Sequence, residues 1–188
     1  MKYENYKSTL KEISKDTSSK TSPVFMVDFY DEVIDYDKFL EDYFLYSHCE
    51  CKGPPPSVDG LCKIDDTWCF IEFKNGKINQ KEKRGIHSKI GHSLLILLKN
   101  ENIQISETCE DILFILVYNE EKNSGTIFSP SEKYMKKFIL DRANKRIIRY
   151  DLEKYKKIYF KDVFTFTQDE FKCFLSNHKI TCPETNVG

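Results

Sequence analysis

The stretch that most limits what this chain can fold into is residues 57–76, SVDGLCKIDDTWCFIEFKNG. Two runs rich in β-branched, aromatic and apolar residues flank Asp65-Asp66 there. Such runs around a two-residue turn predict an antiparallel hairpin with strands over 58–64 and 67–74. A turn centred between the aspartates fixes the register, placing Ile64 opposite Thr67, Cys62 opposite Cys69 and Asp59 opposite Glu72. Opposed residues have Cβ atoms about 4.5–5.5 Å apart, and like charges so placed destabilise a sheet, so this pair invites a compensating cation. Lys74, two residues beyond Glu72, points to the same face. That face carries Asp59, Leu61, Lys63, Trp68, Phe70, Glu72 and Lys74; the other carries Gly60, Cys62, Ile64, Cys69, Ile71 and Phe73. Neither is a plain solvent face, so helices are expected over both sides of the sheet.

The remaining pattern places further elements around this hairpin. Residues 1–22 read as a polar lead-in with a helix over 3–13, and 23–188 as a single domain. A helix is predicted over 34–46, with Phe39, Leu40, Tyr43 and Phe44 as its apolar stripe. Gly53-Pro54-Pro55-Pro56 cannot be helical and delivers the chain extended into the hairpin. Ile86, Ile90, Leu94 and Leu97 mark a helix over 81–99, and the apolar run 112–118 reads as a strand buried on both faces. Ser129, Pro130 and Glu132 form a helix start, with that helix running to about residue 143. One or two short strands follow within 158–166. Thr167 and Glu170 form a capping box opening a final helix to about residue 177. The order predicts an α/β fold with a mixed central sheet flanked by helices on both faces.

Charge is unevenly spread behind a net value of −1. Residues 28–42 hold seven acidic side chains against Lys38, whereas 133–161 and 72–99 are basic segments. A neutral average hiding basic segments is compatible with a phosphate-binding surface, and also with ordinary solvated faces. The seven cysteines are odd in number and follow no secretory-type signal, which predicts free thiols in a reducing, intracellular, cytoplasmic setting. No apolar run is long enough to span a membrane.

An acidic-x-Lys pattern is a weak signal in a chain that is 31% charged, and it occurs four times, beginning at Glu50, Glu72, Glu120 and Glu170. Glu50 precedes the proline run, Glu120 follows a strand, and Glu170 closes a capping box. Only Glu72 lies inside an apolar strand and faces a second carboxylate, where burial makes an uncompensated charge costly.

Asp59 at the entry to one strand, with Glu72-x-Lys74 in the next, resembles the PD-(D/E)xK nuclease superfamily, the restriction-endonuclease-like fold. The resemblance covers roughly residues 34–118, and Ser57-Val58 stands where many members have proline before the aspartate. It implies a metal-dependent nuclease in which Asp59, Glu72 and the Phe73 carbonyl hold Mg²⁺ or Mn²⁺. Mg²⁺ accepts one or two carboxylates and keeps waters for substrate phosphate. Lys74 would orient the attacking water and offset charge on the phosphorus centre. A further acid on the first helix is expected by the same resemblance, with Glu41 and Asp42 as candidates. Nucleic acid, DNA or RNA, is the implied partner. Lys77, Lys81 and Arg84, with Lys83 and Lys89, are candidate phosphate contacts, as are Lys133, Lys136 and Lys137. His87 and Ser88 would face the site if their helix crosses above it; a helix-packing role for His87 is the simpler expectation.

Three alternatives remain open on the sequence. The three residues also read as a charge cluster on a solvated sheet edge. A non-catalytic protein on the same fold could meet a basic protein partner through its acidic segment 28–42. Zinc could be held by two of His48, Cys49, Glu50 and Cys51 together with the Cys62 and Cys69 pair, although paired Cys-x-x-Cys spacing is lacking.

Overall fold

The computed structural model describes residues 2–17, 22–46, 53–123 and 147–184. Its centre is the hairpin of β5 (Gly60–Ile64) and β6 (Thr67–Lys74). Asp65 and Asp66 adopt φ values of 47° and 63°, the left-handed pair that matches the twist of a two-residue hairpin turn. The expected register forms, with Ile64 opposite Thr67, Cys62 opposite Cys69 and Gly60 opposite Ile71.

Around the hairpin grows a mixed seven-stranded sheet. β1 (Lys7–Thr9) pairs antiparallel with β4 (Glu32–Asp35), which pairs antiparallel with β5. On the other side, β6 runs parallel to β7 (Ile112–Tyr118), which runs parallel to β8 (Asp162–Thr167). β9 (Ile180–Thr181) pairs with the far end of β5, and β2 (Lys15–Asp16) and β3 (Val24–Phe25) form a separate two-stranded ribbon.

Both faces of the large sheet are covered. On one side Ile34, Leu61, Phe70, Phe114 and Leu116 pack under α2 (Tyr36–Tyr46) and α3 (Gln80–Glu101), which contribute Phe39, Leu40, Ile86, Ile90, Leu94 and Leu97. On the other, Cys62, Cys69, Ile71, Ile115 and Val117 pack with Leu10 of α1 (Leu10–Ile13) and Phe171 of the C-terminal helix Gln168–Leu175. Every residue of β7 is buried, as its continuous apolar run requires. Burial of each large side chain in these layers contributes about 1.5–3 kcal/mol. Two short helices, α4 (Thr108–Asp111) and α5 (Glu120–Asn123), bracket β7; the C-terminal helix is α6, opened by the Thr167–Glu170 capping box.

Two local expectations are corrected. The segment expected as a lead-in with a helix over 3–13 is instead a 3₁₀ turn, Tyr3–Tyr6, followed by β1 and α1. Tyr3 and Tyr6 bury against Phe39, with ring centroids 5.0 and 5.3 Å away, and that packing overrides local helical pattern. The helix expected over 34–46 starts at Tyr36, because Val33 and Ile34 are buried on opposite faces as strand residues of β4. The Asp35 carboxylate then accepts the Lys38 N–H and caps α2. The segment 158–166 carries the expected short strand as β8, with Ile158 and Tyr159 in a turn before it. The helix expected from Ser129 lies outside the described residues. Among the described residues no helix is long and apolar enough to cross a membrane.

Candidate functional site

The site is assembled where the entry to β5, the end of β6 and the middle of α3 meet. Asp59 stands one residue before the first ladder pair of β5 and β6, so the register carries it opposite Glu72. Gly60 beside it faces the opposite side of the sheet, where a Cβ would lie 2.3 Å from the Ile13 Cδ1. The missing side chain lets α1 approach the sheet directly beneath Asp59.

Each oxygen of Asp59 has a defined neighbour. Its backbone carbonyl accepts the Tyr36 N–H at 3.1 Å, fixing the start of α2 against the strand entry. Its Oδ2 accepts the Phe73 N–H at 2.6 Å, and its Oδ1 lies 3.1 Å from Lys89 Nζ. Glu72 is completely buried. Its Oε2 accepts from Lys89 Nζ at 3.0 Å. Its Oε1 lies 2.9 Å from Lys89 Nζ and 3.2 Å from Lys74 Nζ, yet neither lysine is aligned to hydrogen-bond it. Lys74 also approaches Glu82 Oε2 at 3.7 Å. The two carboxylates therefore share one ion, and that ion is the ammonium of Lys89.

α3 is clamped over the site by polar contacts. Asn79 caps it, accepting from the Lys81 and Glu82 N–H groups. Deep in the layer, Ser93 Oγ accepts the Val58 N–H at 3.0 Å, and the Tyr36 hydroxyl donates to the Ser93 carbonyl at 3.2 Å. Lys89 and Ser93 lie on the stripe that also holds Ile86, Ile90 and Leu97, so the helix presents a cation to the sheet from within its apolar face.

Electrostatics follow from this enclosure. Burial first, then the Asp59 charge, pushes the Glu72 carboxyl up to about 8 against the opposing pull of Lys89 and Lys74. Burial pulls the Lys89 ammonium down, but Glu72, Asp59 and Asp37 overcome it and hold the group above the ordinary lysine value. Asp37, in the first turn of α2, accepts from the Ser57 hydroxyl. Burial raises its carboxyl, the Ser57 hydroxyl and Lys89 lower it, and Asp59 and Asp35 raise it further.

The structure brings Asp59, Glu72, Phe73 and Lys74 together and adds three residues that the sequence reading missed or misplaced. Lys89, expected as a phosphate contact, is mostly buried and pairs with both carboxylates. Asp37 is the α2 acid that senses Asp59 and Lys89, whereas Glu41 is exposed and Asp42 accepts the Tyr6 hydroxyl at 2.9 Å. Ser57 orients Asp37. Lys77, Lys81 and Arg84 are exposed at and before the start of α3. His87 packs on the Tyr155 ring, centroids 5.3 Å apart, and Ser88 is exposed, so neither joins the cluster. Lys133, Lys136 and Lys137 lie outside the described residues.

Two carboxylates converge on one cationic nitrogen, and among the described residues a buried Glu72 oxygen has no aligned donor. That donor set fits a small, oxygen-preferring divalent ion that completes its shell with backbone oxygen and water. Among the described residues, no group of three or more His, Cys, Asp or Glu side chains is arranged to hold a metal. The zinc alternative loses its anchor: Cys62 and Cys69 are fully buried core partners, burial pushes the Cys69 thiol well up, and residues 48–51 lie outside the described residues. Comparison of the chain with family models, curated proteins and solved structures found no match.

Proposed function

We propose that the protein is a metal-dependent nuclease of restriction-endonuclease-like core, hydrolysing phosphodiester bonds. The observation that carries this reading is the buried Glu72, set opposite Asp59 in a hairpin register and flanked by Lys74 on the same face. An α/β scaffold has cheaper ways to fill a strand position over a packed helix than a fully buried glutamate, and such costs concentrate at functional sites.

In this reading Asp59 and Glu72 hold Mg²⁺ or Mn²⁺. The Phe73 N–H already meets Asp59. A strand residue's C=O leaves the chain on the same side as its N–H, so the Phe73 carbonyl is the available third ligand. When bound, the ion supplies Lewis-acid polarisation of a phosphoryl oxygen and a water acidified toward neutral pH. Lys74 holds the attacking water and offsets negative charge developing on the phosphoryl oxygens. The water oxygen bonds to phosphorus as the bond to the leaving oxygen breaks. Lys77, Lys81 and Arg84 lie exposed beside this region and meet backbone phosphates.

One observation favours a second reading, a non-catalytic protein of the same fold. Lys89 already stands between the carboxylates, and a lysine there makes a closed structural ion cluster. The acidic segment 28–42 gives that reading less help than its composition promises. Asp28 pairs with Lys11 at 2.7 Å, Asp35 with Lys38, Asp37 with Ser57 and Asp42 with Tyr6. The deciding experiment incubates the protein with plasmid, single-stranded DNA and RNA in Mg²⁺ or Mn²⁺, with EDTA and Glu72→Gln as controls. Cleavage that requires both metal and Glu72 supports the nuclease; its absence on every substrate supports the second reading.

A further inference from the structure

We infer that Lys89 is a resident counter-ion of the Asp59–Glu72 pair, which a divalent cation must displace to bind, and that Asp37 is the anion that receives the displaced ammonium. The inference rests on the metal-binding reading above and assigns its regulation to a residue outside the Asp-Glu-x-Lys pattern. Lys74 and Lys89 differ in how they meet the carboxylates. Lys74 reaches Glu72 alone and is also drawn toward Glu82, on the outer side. Lys89 descends from α3 and places one nitrogen 3.1 Å from Asp59 Oδ1 and within 3.0 Å of both Glu72 oxygens. Those are the oxygens a shared metal would need, because Asp59 Oδ2 is committed to the Phe73 N–H. An ammonium and a divalent ion cannot occupy that space together.

Displacement needs somewhere for the charge to go. Asp37 already acts on Lys89 electrostatically, is held by Ser57, and stands at the N-terminal turn of α2, whose first N–H is bonded to the Asp59 carbonyl. A lysine side chain has four rotatable bonds, so its nitrogen can exchange one carboxylate for another while its α3 backbone stays fixed. In the metal-free protein the same ammonium offsets repulsion between Asp59 and Glu72, which lets the site fold before any metal arrives. The exchange makes metal affinity a difference between two cations at one position, so removal of the resident cation strengthens binding of the incoming one.

The test measures Mn²⁺ binding by calorimetric titration and by thermal unfolding of the full chain, for wild type, Lys89→Met, Lys89→Gln and Asp37→Asn. Lys89→Met should bind Mn²⁺ about tenfold or more tightly than wild type, a change of about 1.4 kcal/mol. It should also melt lower than wild type without metal, and recover most of that loss in saturating Mn²⁺. Lys89→Gln retains a donor for Glu72 and should show the same direction of change if the methionine variant folds poorly. Asp37→Asn removes the receiving charge and should weaken Mn²⁺ binding. Wild type that binds Mn²⁺ while both Lys89 variants bind it equally or more weakly overturns the counter-ion role and leaves the metal site standing. Absence of Mn²⁺ binding in wild type and in both Lys89 variants overturns the counter-ion role together with the metal-binding reading.

Discussion

Glu72→Gln distinguishes a functional carboxylate from a structural ion-pair partner, and its energetics can be worked from the site. The side chain is fully buried, and burial with the Asp59 charge raises its carboxyl from 4.5 to about 8 despite two neighbouring lysines. A carboxyl held higher in the folded than in the unfolded chain keeps its proton longer when folded. Its contribution is therefore fully present below about pH 4.5 and is lost as pH rises to about 8. At about 1.4 kcal/mol per pH unit, the ceiling on that loss is roughly 5 kcal/mol. An amide at this position carries no charge at any pH, so the Glu72→Gln variant should lack this pH dependence. In urea unfolding with EDTA, wild type should lose at least about 2 kcal/mol more than Glu72→Gln between pH 5 and pH 8. At pH 8 the variant should be as stable as wild type or more so, since the amide never carries the Glu72 charge that burial and Asp59 disfavour. If instead the variant loses about 3–5 kcal/mol at pH 8, the behaviour is that of a broken buried ion pair. Glu72 would then be a structural partner of Lys89, and its burial would no longer mark a metal-binding carboxylate.

Three other outcomes are expected. Lys74→Ala should lower metal-dependent cleavage on the order of a hundredfold or more while Mn²⁺ binding persists, since in the nuclease reading Lys74 acts on water and phosphate and the carboxylates remain; loss of metal binding in this variant would contradict that role. Charge reversal of Lys81 and Arg84 together should weaken nucleic-acid binding across sequences and make its log–log salt dependence shallower by about two; unchanged affinity and slope would remove this edge of α3 from the interface. Ser93→Ala leaves the buried Val58 N–H without its acceptor and should cost about 1–3 kcal/mol in urea unfolding. A neutral result there would show that the helix-to-strand clamp does not hold the site together.

The hairpin was legible because two local rules agree on it: two runs of strand-forming residues, and a two-residue turn between them that fixes one register. The same agreement made β7 and the α6 cap legible, one from an unbroken apolar run and the other from a reciprocal Thr167–Glu170 pair. The N-terminal segment was not legible for the opposite reason. Tyr3, Tyr6 and Leu10 recur at near-helical spacing, yet Tyr3 and Tyr6 bury against Phe39 on one side of the sheet and Leu10 on the other, and only the tertiary structure decides between one helix and a strand flanked by a 3₁₀ turn and a short helix. Ile34 reads as part of the helix that follows it because a strand running straight into a capped helix leaves no turn residues to separate them.

The candidate cluster was legible on its strand side and misread on its helix side, and the reason is physical. Lys89 and Ser93 stand among Ile86, Ile90, Leu94 and Leu97, and a helix that only packs would not interrupt its buried stripe with an ammonium and a hydroxyl. Read as charge density, Lys89 is one more basic residue in a basic segment. Read as periodicity, it is a cation on the face that must meet the sheet, at the level where two carboxylates already repel one another. Asp37 follows the same logic: it becomes visible as a site residue only when Asp35 is recognised as the cap, which puts Asp37 in the first turn against Ser57 and leaves Glu41 on the solvent side. A buried polar residue on an apolar stripe must be answered by a partner of opposite character, so such interruptions on two elements locate one another before any contact is seen. Here they converge on Asp59 and Glu72, where Lys89 answers from the helix side the repulsion between the two strand carboxylates.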